Sequence, residues 1–520
     1  SLAPMPPQNL PLVSMTSQRK APSARKKPLP ARKKAPPVRK KPLPAQKKLT
    51  PTPAQKEPQT TVPAPENSPP EKPLPENPLT LADILQNVEA THPRLRGAEA
   101  DRQAATARRS ARQGAFDVNL VAGTDAQRYN STSTRGKVAE FYTNDAGAEL
   151  TLRNGVKLYA GARLNAGAVK APDSQTGTGG EYVAYVAVPL LRGLGINSRS
   201  ASERQAILGE PLADERFRRT RLDTLAQAGN AYWEFVAAGQ RLSVARELLR
   251  VSIIRLNATQ KRADLGDLPR VDALEARQEV ERRRGALTGA ERSIQRAAFR
   301  LAQFRFAPDG TPLPILTERA VPRETALPTP IPVTLLEQEA ARERALAARP
   351  EIPANQLEQR IVGVDRDLAR NDRKPNVEFI FNPGADTGNL AIGNTFKTGL
   401  QFSLPLGQRE ARGRLSEANL RLQRLEQDAL LLQTQIRLEV DDAVSSVNLS
   451  VRRYNAAVRE LELARQVESR ERDRLRLGEG TLFLLNQRER ATAETASRVI
   501  DTRAEYFQAV LALELASARL

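Results

Sequence analysis

Cysteine is absent from the 520 residues, histidine occurs once, and aromatic residues make up only 4% of the chain. The missing thiols exclude disulfides, thiolate metal sites, a cysteine nucleophile and a lipid-bearing N-terminal cysteine in this sequence. The lone histidine, His92, precedes Pro93 at a break in a helical pattern, the place of a solvated joint residue rather than a ligand or a base. No run of 18 apolar residues exists, which rules out a transmembrane helix. A β-barrel, whose strands are short and alternating, is not excluded by that absence. There is no phosphate-binding loop and no cluster with metal-ligand spacing, so the reading is a non-enzyme with no catalytic, cofactor-binding or metal-ligating residues and no cofactor. Gly193-Leu194-Gly195 and Gly384 read as turn glycines at strand ends. The adjacent Asp441 and Asp442 splay about 100° apart on a helix and make no catalytic pair.

Charge is abundant but unevenly placed. Of the net +20, residues 1–75 supply a surplus of 12, from 15 Lys and Arg against 3 Asp and Glu, which leaves 8 for the rest. That basic segment is built on a seven-residue repeat, Arg25 to Ala31, Arg32 to Val38 and Arg39 to Ala45, with prolines in every copy. Proline forbids a coiled coil, so residues 1–78 read as a disordered or polyproline tail, reaching roughly 200 Å at about 3.1 Å per residue. Either it is a solvated linker or it holds an anionic polymer or membrane surface electrostatically. It lacks interleaved aromatics, so nucleic acid is not the expected partner.

Beyond the tail the chain is organised around a joint that occurs twice. Val186-Ala187-Val188-Pro189-Leu190-Leu191-Arg192-Gly193 and Phe402-Ser403-Leu404-Pro405-Leu406-Gly407-Gln408-Arg409 each end an alternating run at a proline, and a long charged helical pattern follows. Pro189 and Pro405 mark strand-to-helix switches, since proline suits a strand end or a helix start. Residues 79–305 form a first unit, 306–332 a connector with seven prolines, and 333–520 a second unit on the same plan.

The first unit opens with a helix capped by Thr80 and Asp83 and broken at His92-Pro93. Alternation runs from Phe116 to Tyr129 and from Ala148 to Leu164, where Asn154-Gly155 is a type I′ hairpin signal. Residues 130–145 and 166–180 read as loops, and Tyr182 to Val188 as the last strand. A helix starting near Asn197, with Ser200 and Glu203 as its capping box, reaches Asp264 with an interruption at Gly209 and Pro211. It turns at Leu265-Gly266-Asp267-Leu268-Pro269, and a second helix returns to Phe304. In the second unit a helix from Leu335 breaks at Arg349-Pro350-Glu351, strands occupy Asn376 to Phe381 and Lys397 to Leu404, and the long helix turns at Leu477-Gly478-Glu479-Gly480. Its apolar positions Leu422, Leu425, Ala429, Leu432 and Ile436, then Val444, Val447, Val451, Tyr454, Val458 and Leu461, step by 3 and 4, a left-handed coiled-coil seam. From Pro189 to Gly266 is 77 residues and from Pro405 to Gly478 is 73, so two helical hairpins of matched length, roughly 110 Å each, hang from two sets of strands.

This order of motifs resembles the TolC-type outer-membrane efflux proteins. The matches are Leu79-Thr80-Leu81-Ala82-Asp83 with Pro93, the Pro189 and Pro405 joints, Ala231-Tyr232-Trp233, Gly266 with Val271-Asp272-Ala273-Leu274, Arg349-Pro350-Glu351 and Leu477-Gly478-Glu479-Gly480. The resemblance covers residues 79–520 and implies a homotrimer sharing one membrane β-barrel, with four strands per protomer and twelve in all, continuous with a helical barrel in the periplasm. It implies an outer-membrane exit duct that docks to a periplasmic adaptor and an inner-membrane pump through tips at Gly266, Asp267, Leu268, Gly478, Glu479 and Gly480. Where some members carry inward aspartates near the second tip, this chain has Leu484 and Gln487, which leaves Asn486 and Gln487 as polar candidates for the entrance lining. The Asn154-Gly155 hairpin exceeds four strands, and either extends the barrel or lies in a loop above it. The other reading, a non-pore periplasmic coiled-coil scaffold or adaptor with a polyanion-binding tail, has no use for strands with one apolar face.

Overall fold

The computed structural model describes residues 78–130, 136–169, 175–388 and 393–520. The tail expected over residues 1–78 lies outside them, Pro78 excepted, and the described residues all belong to the unit Lys72–Leu520. Thr80 opens the first helix as the sequence predicts. Its Oγ1 accepts from the Asp83 N–H at 3.2 Å while the Asp83 carboxylate accepts from the Thr80 N–H at 3.0 Å. Hydrogen bonds from Thr80 hold the Asp83 carboxyl below its ordinary pKa. Helix α1 (Leu81–Thr91) buries Ile84 and Val88 and stops at His92, whose Nδ1 accepts from Arg94 N–H in the first turn of α2 (Pro93–Gln113).

Four strands follow, β1 (Asn119–Asn130), β2 (Val138–Thr151), β3 (Lys157–Gly167) and β4 (Gly180–Pro189), then α3 (Ser198–Asp264) and α4 (Arg270–Ala302). After the proline-rich connector come α5 (Leu335–Ala348), α6 (Glu351–Asp372), β5 (Asn376–Thr387), β6 (Asn394–Ser403), α7 (Arg409–Arg476) and α8 (Leu482–Ala516). Thr334 and Glu337 cap α5 with the same reciprocal box as Thr80 and Asp83.

The strands make one antiparallel sheet in the order β1-β2-β3-β4-β5-β6. The sheet departs from the sequence expectations in two places. Residues 138–145 are not loop but the first half of β2, paired without a gap to β1 from Asn130↔Val138 to Asn119↔Glu149. Asn144 and Asp145 look like turn formers, yet in register they meet partners: Thr124 Oγ1 donates to Asn144 Oδ1 at 2.7 Å, and Asp145 lies opposite Arg163. The hairpin at Asn154-Gly155 is real but its turn is not type I′, which needs positive φ at both central residues. Only Gly155 is left-handed, at φ +91°, and its N–H donates to Leu152 O at 2.9 Å.

Helices α3 and α7 contain 67 and 68 residues, which at 1.5 Å per residue is about 100 Å each. The interruption expected at Gly209 and Pro211, a kink, is not a break: α3 continues through both residues as one helix. Ion pairing of Arg109 with Glu210 at 2.7 Å and a hydrogen bond from Gln205 to Asp365 at 2.6 Å clamp that stretch to α2 and α6, so tertiary contacts outweigh the lost proline donor. Next to the sheet the helices lie side by side in the order α2, α3, α6, α7, and towards the hairpin ends in the order α4, α3, α8, α7.

A core forms midway, where Trp233 stacks on Phe507 at 4.0 Å and Phe235, Leu242 and Leu301 are fully buried. Tyr232 Oη donates to Leu79 O at 2.9 Å, and burial, with a smaller contribution from Asp83, pushes its phenol up to about 12. The seam of α7 is Ile436, Val440, Val444, Val447, Val451, Tyr454 and Ala457. Ala457 takes the place expected for Val458, which is exposed, because Ala457 and Tyr454 together meet Val499 of α8.

Candidate functional site

Register places every second residue of a strand on one face, and here the two faces differ in kind. One carries Leu120, Ala122 and Ala126 of β1, Ala146, Ala148 and Leu150 of β2, Leu158, Ala160, Ala162 and Leu164 of β3, Tyr182, Ala184 and Val186 of β4, Phe379 and Phe381 of β5, and Phe396, Leu400 and Phe402 of β6. Its only charged residues in the paired strands are Arg128 and Glu140, which face each other at the end away from the helices with 3.6 Å between them. The opposite face holds Asp125, Asp145, Glu149, Lys157, Arg163, Glu181, Glu378, Asp386 and Lys397. Several of these pair across strands, Arg163 with Glu181 at 2.6 Å and Lys157 with Glu378 at 3.2 Å. On that face Tyr159 lies over two glycines. A Cβ added at Gly147 or Gly161 would come within 2.6 Å of the Tyr159 ring or hydroxyl.

All connections to helices leave from one end of the sheet. Pro189 is the last residue of β4, and just beyond it Leu190 N–H donates to Val377 O at 2.7 Å and Gly193 N–H to Asn371 Oδ1 at 2.6 Å. Asn197 caps α3, its Oδ1 accepting from the N–H groups of Arg199 and Ser200, in a box completed by the Ser200 hydroxyl. The expected Ser200–Glu203 box does not form, because Glu203 is taken by Arg153, whose Nε and Nη2 reach its carboxylate at 2.9 and 2.7 Å. That pair ties the β2–β3 turn to the first turns of α3 and lowers the pKa of Glu203. A Cβ on Gly155 would come within 2.7 Å of Gly193 O, so the turn is packed against the joint. Pro405 lies two residues past β6, and α7 begins at Arg409 after Gln408, which is left-handed at φ 45°.

The opposite ends of the helices are two tips built alike. Gly266 and Gly478 have φ of +84° and +85°. Asp267 N–H donates to Arg262 O and Glu479 N–H to Arg474 O, each at 2.9 Å, while the glycine N–H groups donate to Ala263 O and Leu475 O. These are the two bonds of a Schellman turn, and glycine is required because side chains avoid that backbone region. Gly266, Asp267, Gly478 and Glu479 are exposed; Leu268 and Gly480 are half-buried. A side chain on Gly480 would strike the backbone of Leu475. Leu265, Leu274, Leu477 and Phe483 project into solvent around these turns.

No protein-family model matches the chain and no curated protein matches its sequence. Solved structures do. The outer-membrane channel OprN aligns over 85% of this chain and 90% of its own at a TM-score of 0.64 and 17% identity. The CmeC outer membrane channel of Campylobacter jejuni aligns over 84% and 85% at 0.61 and 13%. The open-state MtrE outer membrane channel of Neisseria gonorrhoeae aligns over 85% and 89% at 0.61 and 16%. The chain has the fold of these outer-membrane channels. The channel fold agrees with the TolC-type resemblance read from the motifs.

Within this channel fold a buried ionic cluster joins the two helical hairpins above the tips. Arg255 of α3 makes a double contact with Glu489 of α8 and donates to Asn486 Oδ1 at 2.9 Å, and Arg283 lies 2.7 Å from Glu279, both on α4. Burial lowers the pKa of Arg283. Asn486 is therefore enclosed within one chain, which removes it from the entrance-lining candidates, whereas Gln487 is exposed. No sequence signal singled out Arg255 or Glu489; only the packing of α3 on α8 brings them together. Asp441 accepts from Arg342 and Gln338 of α5, a structural contact. Among the described residues no group of histidine, cysteine and carboxylate side chains is placed to hold a metal, and no helix is long and apolar enough to cross a membrane.

Proposed function

We propose that the chain is the outer-membrane exit duct of a tripartite efflux or type I secretion system, a passive channel and not an enzyme. The observation that carries this is the uncharged face, continuous in register over all six strands except at its far rim. Strands of 10 to 14 residues, tilted, are long enough to cross the hydrocarbon layer, and a sheet can do so only if closed. That face meets outer-membrane lipid, the charged face lines the lumen, and the helices extend into the periplasm. One chain leaves both sheet edges open, so closure needs copies, and the reading is a homotrimer. A stripe on α7 supports this: Leu420, Leu431, Leu438, Leu449 and Leu463 recur at steps of 11, 7, 11 and 14, all exposed. Such spacing keeps them on one side of the helix, where a neighbouring copy covers them. We read residues 79–305 and 333–520 as tandem units joined by the connector 306–332. The tips Gly266, Asp267, Leu268, Gly478, Glu479 and Gly480 dock to a periplasmic adaptor that recruits the inner-membrane transporter, with Gln487 near the entrance. Residues 1–75 hold an anionic cell-wall polymer.

A non-pore scaffold would not need the uncharged face, and this separates the two readings. Phe381 and Asn382 are neighbours on opposite faces of β5. An arginine near the bilayer midplane on the lipid side costs about 2–4 kcal/mol. Phe381→Arg should therefore deplete the protein from outer-membrane fractions, and Asn382→Arg should not. Equal recovery of the two variants in that fraction would favour the scaffold.

A further inference from the structure

The sheet has two strands more than its helices require. Beside it lie α2, α3, α6 and α7 in that order, and β1, β4, β5 and β6 are the strands directly joined to them in the chain. The hairpin β2–β3 is inserted between β1 and β4. It is not a flap: its turn is bonded to α3 through Arg153 and Glu203, Asn197 Nδ2 donates to Arg153 O at 3.1 Å, and both strands continue the sheet without a break. Its faces continue as well, Leu150 opposite Leu158 on the uncharged side and Asp145 opposite Arg163 on the charged side.

The insertion changes the width of the sheet. Strands about 4.8 Å apart and tilted by about 40° each take about 6.3 Å of circumference, so six span about 38 Å and four about 25 Å. Four helices packed at about 9 Å span about 36 Å. At that tilt six strands span an arc close to that of the four helices beside them.

The outer edges fit each other. The strands alternate in direction, so β6 of one chain and β1 of another meet antiparallel, and α7, with its exposed leucine stripe, stands at the same edge as β6. We infer that three copies close through a β6-to-β1 seam into an eighteen-stranded barrel about as wide as the helical tube it joins. This rests on the trimeric duct reading.

The absence of cysteine makes the seam testable, because two introduced thiols are the only ones present. Val121 lies on the charged face of β1, and Lys397, Gly399 and Gln401 share that face on β6. Val121→Cys is combined in turn with a cysteine at each of the three, and a parallel series starts from Arg163→Cys in β3. The purified proteins are oxidised in detergent, run on non-reducing gels, and weighed by light scattering. The expected result is disulfide-linked dimers and trimers from at least one Val121 pairing and none from the Arg163 series. A trimeric mass with no cross-link from any Val121 pairing, or with cross-links from Arg163, overturns the eighteen-stranded seam and leaves the duct reading standing. A monomeric mass overturns both.

Discussion

Replacing Arg255 with alanine should loosen the two hairpins from each other without unfolding the sheet. The side chains of Arg255 and Glu489 are only 16% and 7% exposed, and the guanidinium also holds Asn486. Removing one member of a buried pair leaves the other charge desolvated, at a cost of about 3–5 kcal/mol. Arg472 lies 3.8 Å from Glu489 and retains part of the attraction, which points to the lower end, about 3 kcal/mol. At about 1.4 kcal/mol per factor of ten, opening of this section becomes about 150-fold more frequent. Amide hydrogen exchange followed by mass spectrometry should register that acceleration in peptides around residues 255 and 489, while peptides from β3 to β5 keep wild-type rates. Adding Glu489→Leu to Arg255→Met should restore protection, because a well-packed apolar pair replaces a buried ionic one at little cost. Exchange in Arg255→Ala within threefold of wild type would refute the assignment of these two residues as the clasp between hairpins.

Two further predictions concern the ends of the helices. Valine at Gly266 and Gly478 must adopt φ near +85°, at a cost of about 1–3 kcal/mol per site, so the double variant should keep its mass in detergent and its thermal stability in the sheet but lose export in cells. Export at the wild-type rate would remove the tips from docking. At the other end, the Arg153 pair lowers the Glu203 carboxyl below its ordinary value of 4.5, so the stability it gives is present above that value and is lost as pH falls through the lowered one. The melting-temperature gap between wild type and Glu203→Gln should be constant near neutrality and close under acid. A gap that persists once the carboxylate is protonated would mean the pair does not hold the β2–β3 turn.

The helical part was legible in the sequence because its signals are local. Thr80 with Asp83, Thr334 before Glu337, the glycine turns at 266 and 478, and the long 3-and-4 spacing of α7 each announce an element within a few residues. The sheet was less so. Strand β2 carries Asn144, Asp145 and Gly147, residues that favour turns until a partner on each side supplies their bonds, and those partners, Thr124 for Asn144 and Arg163 for Asp145, lie beyond the reach of a local signal. The cap of α3 shifted from Ser200 to Asn197 for a similar reason, since Glu203 was drawn to a turn some fifty residues earlier. Asn486 was a polar candidate for the entrance because it stands beside the positions where the resemblance places aspartates, and its burial against Arg255 depends on how α8 lies on α3. Four strands per chain, and twelve in a trimer, came from resemblance; six per chain comes from this chain's own hairpin.

The central claim, that copies of this chain enclose a water-filled passage through a membrane, is tested most directly by recording current across a planar lipid bilayer after adding the detergent-purified protein. Discrete, uniform conductance steps that appear with the wild type and not with Phe381→Arg are the predicted result. A bilayer that stays silent with folded wild-type protein would contradict the account.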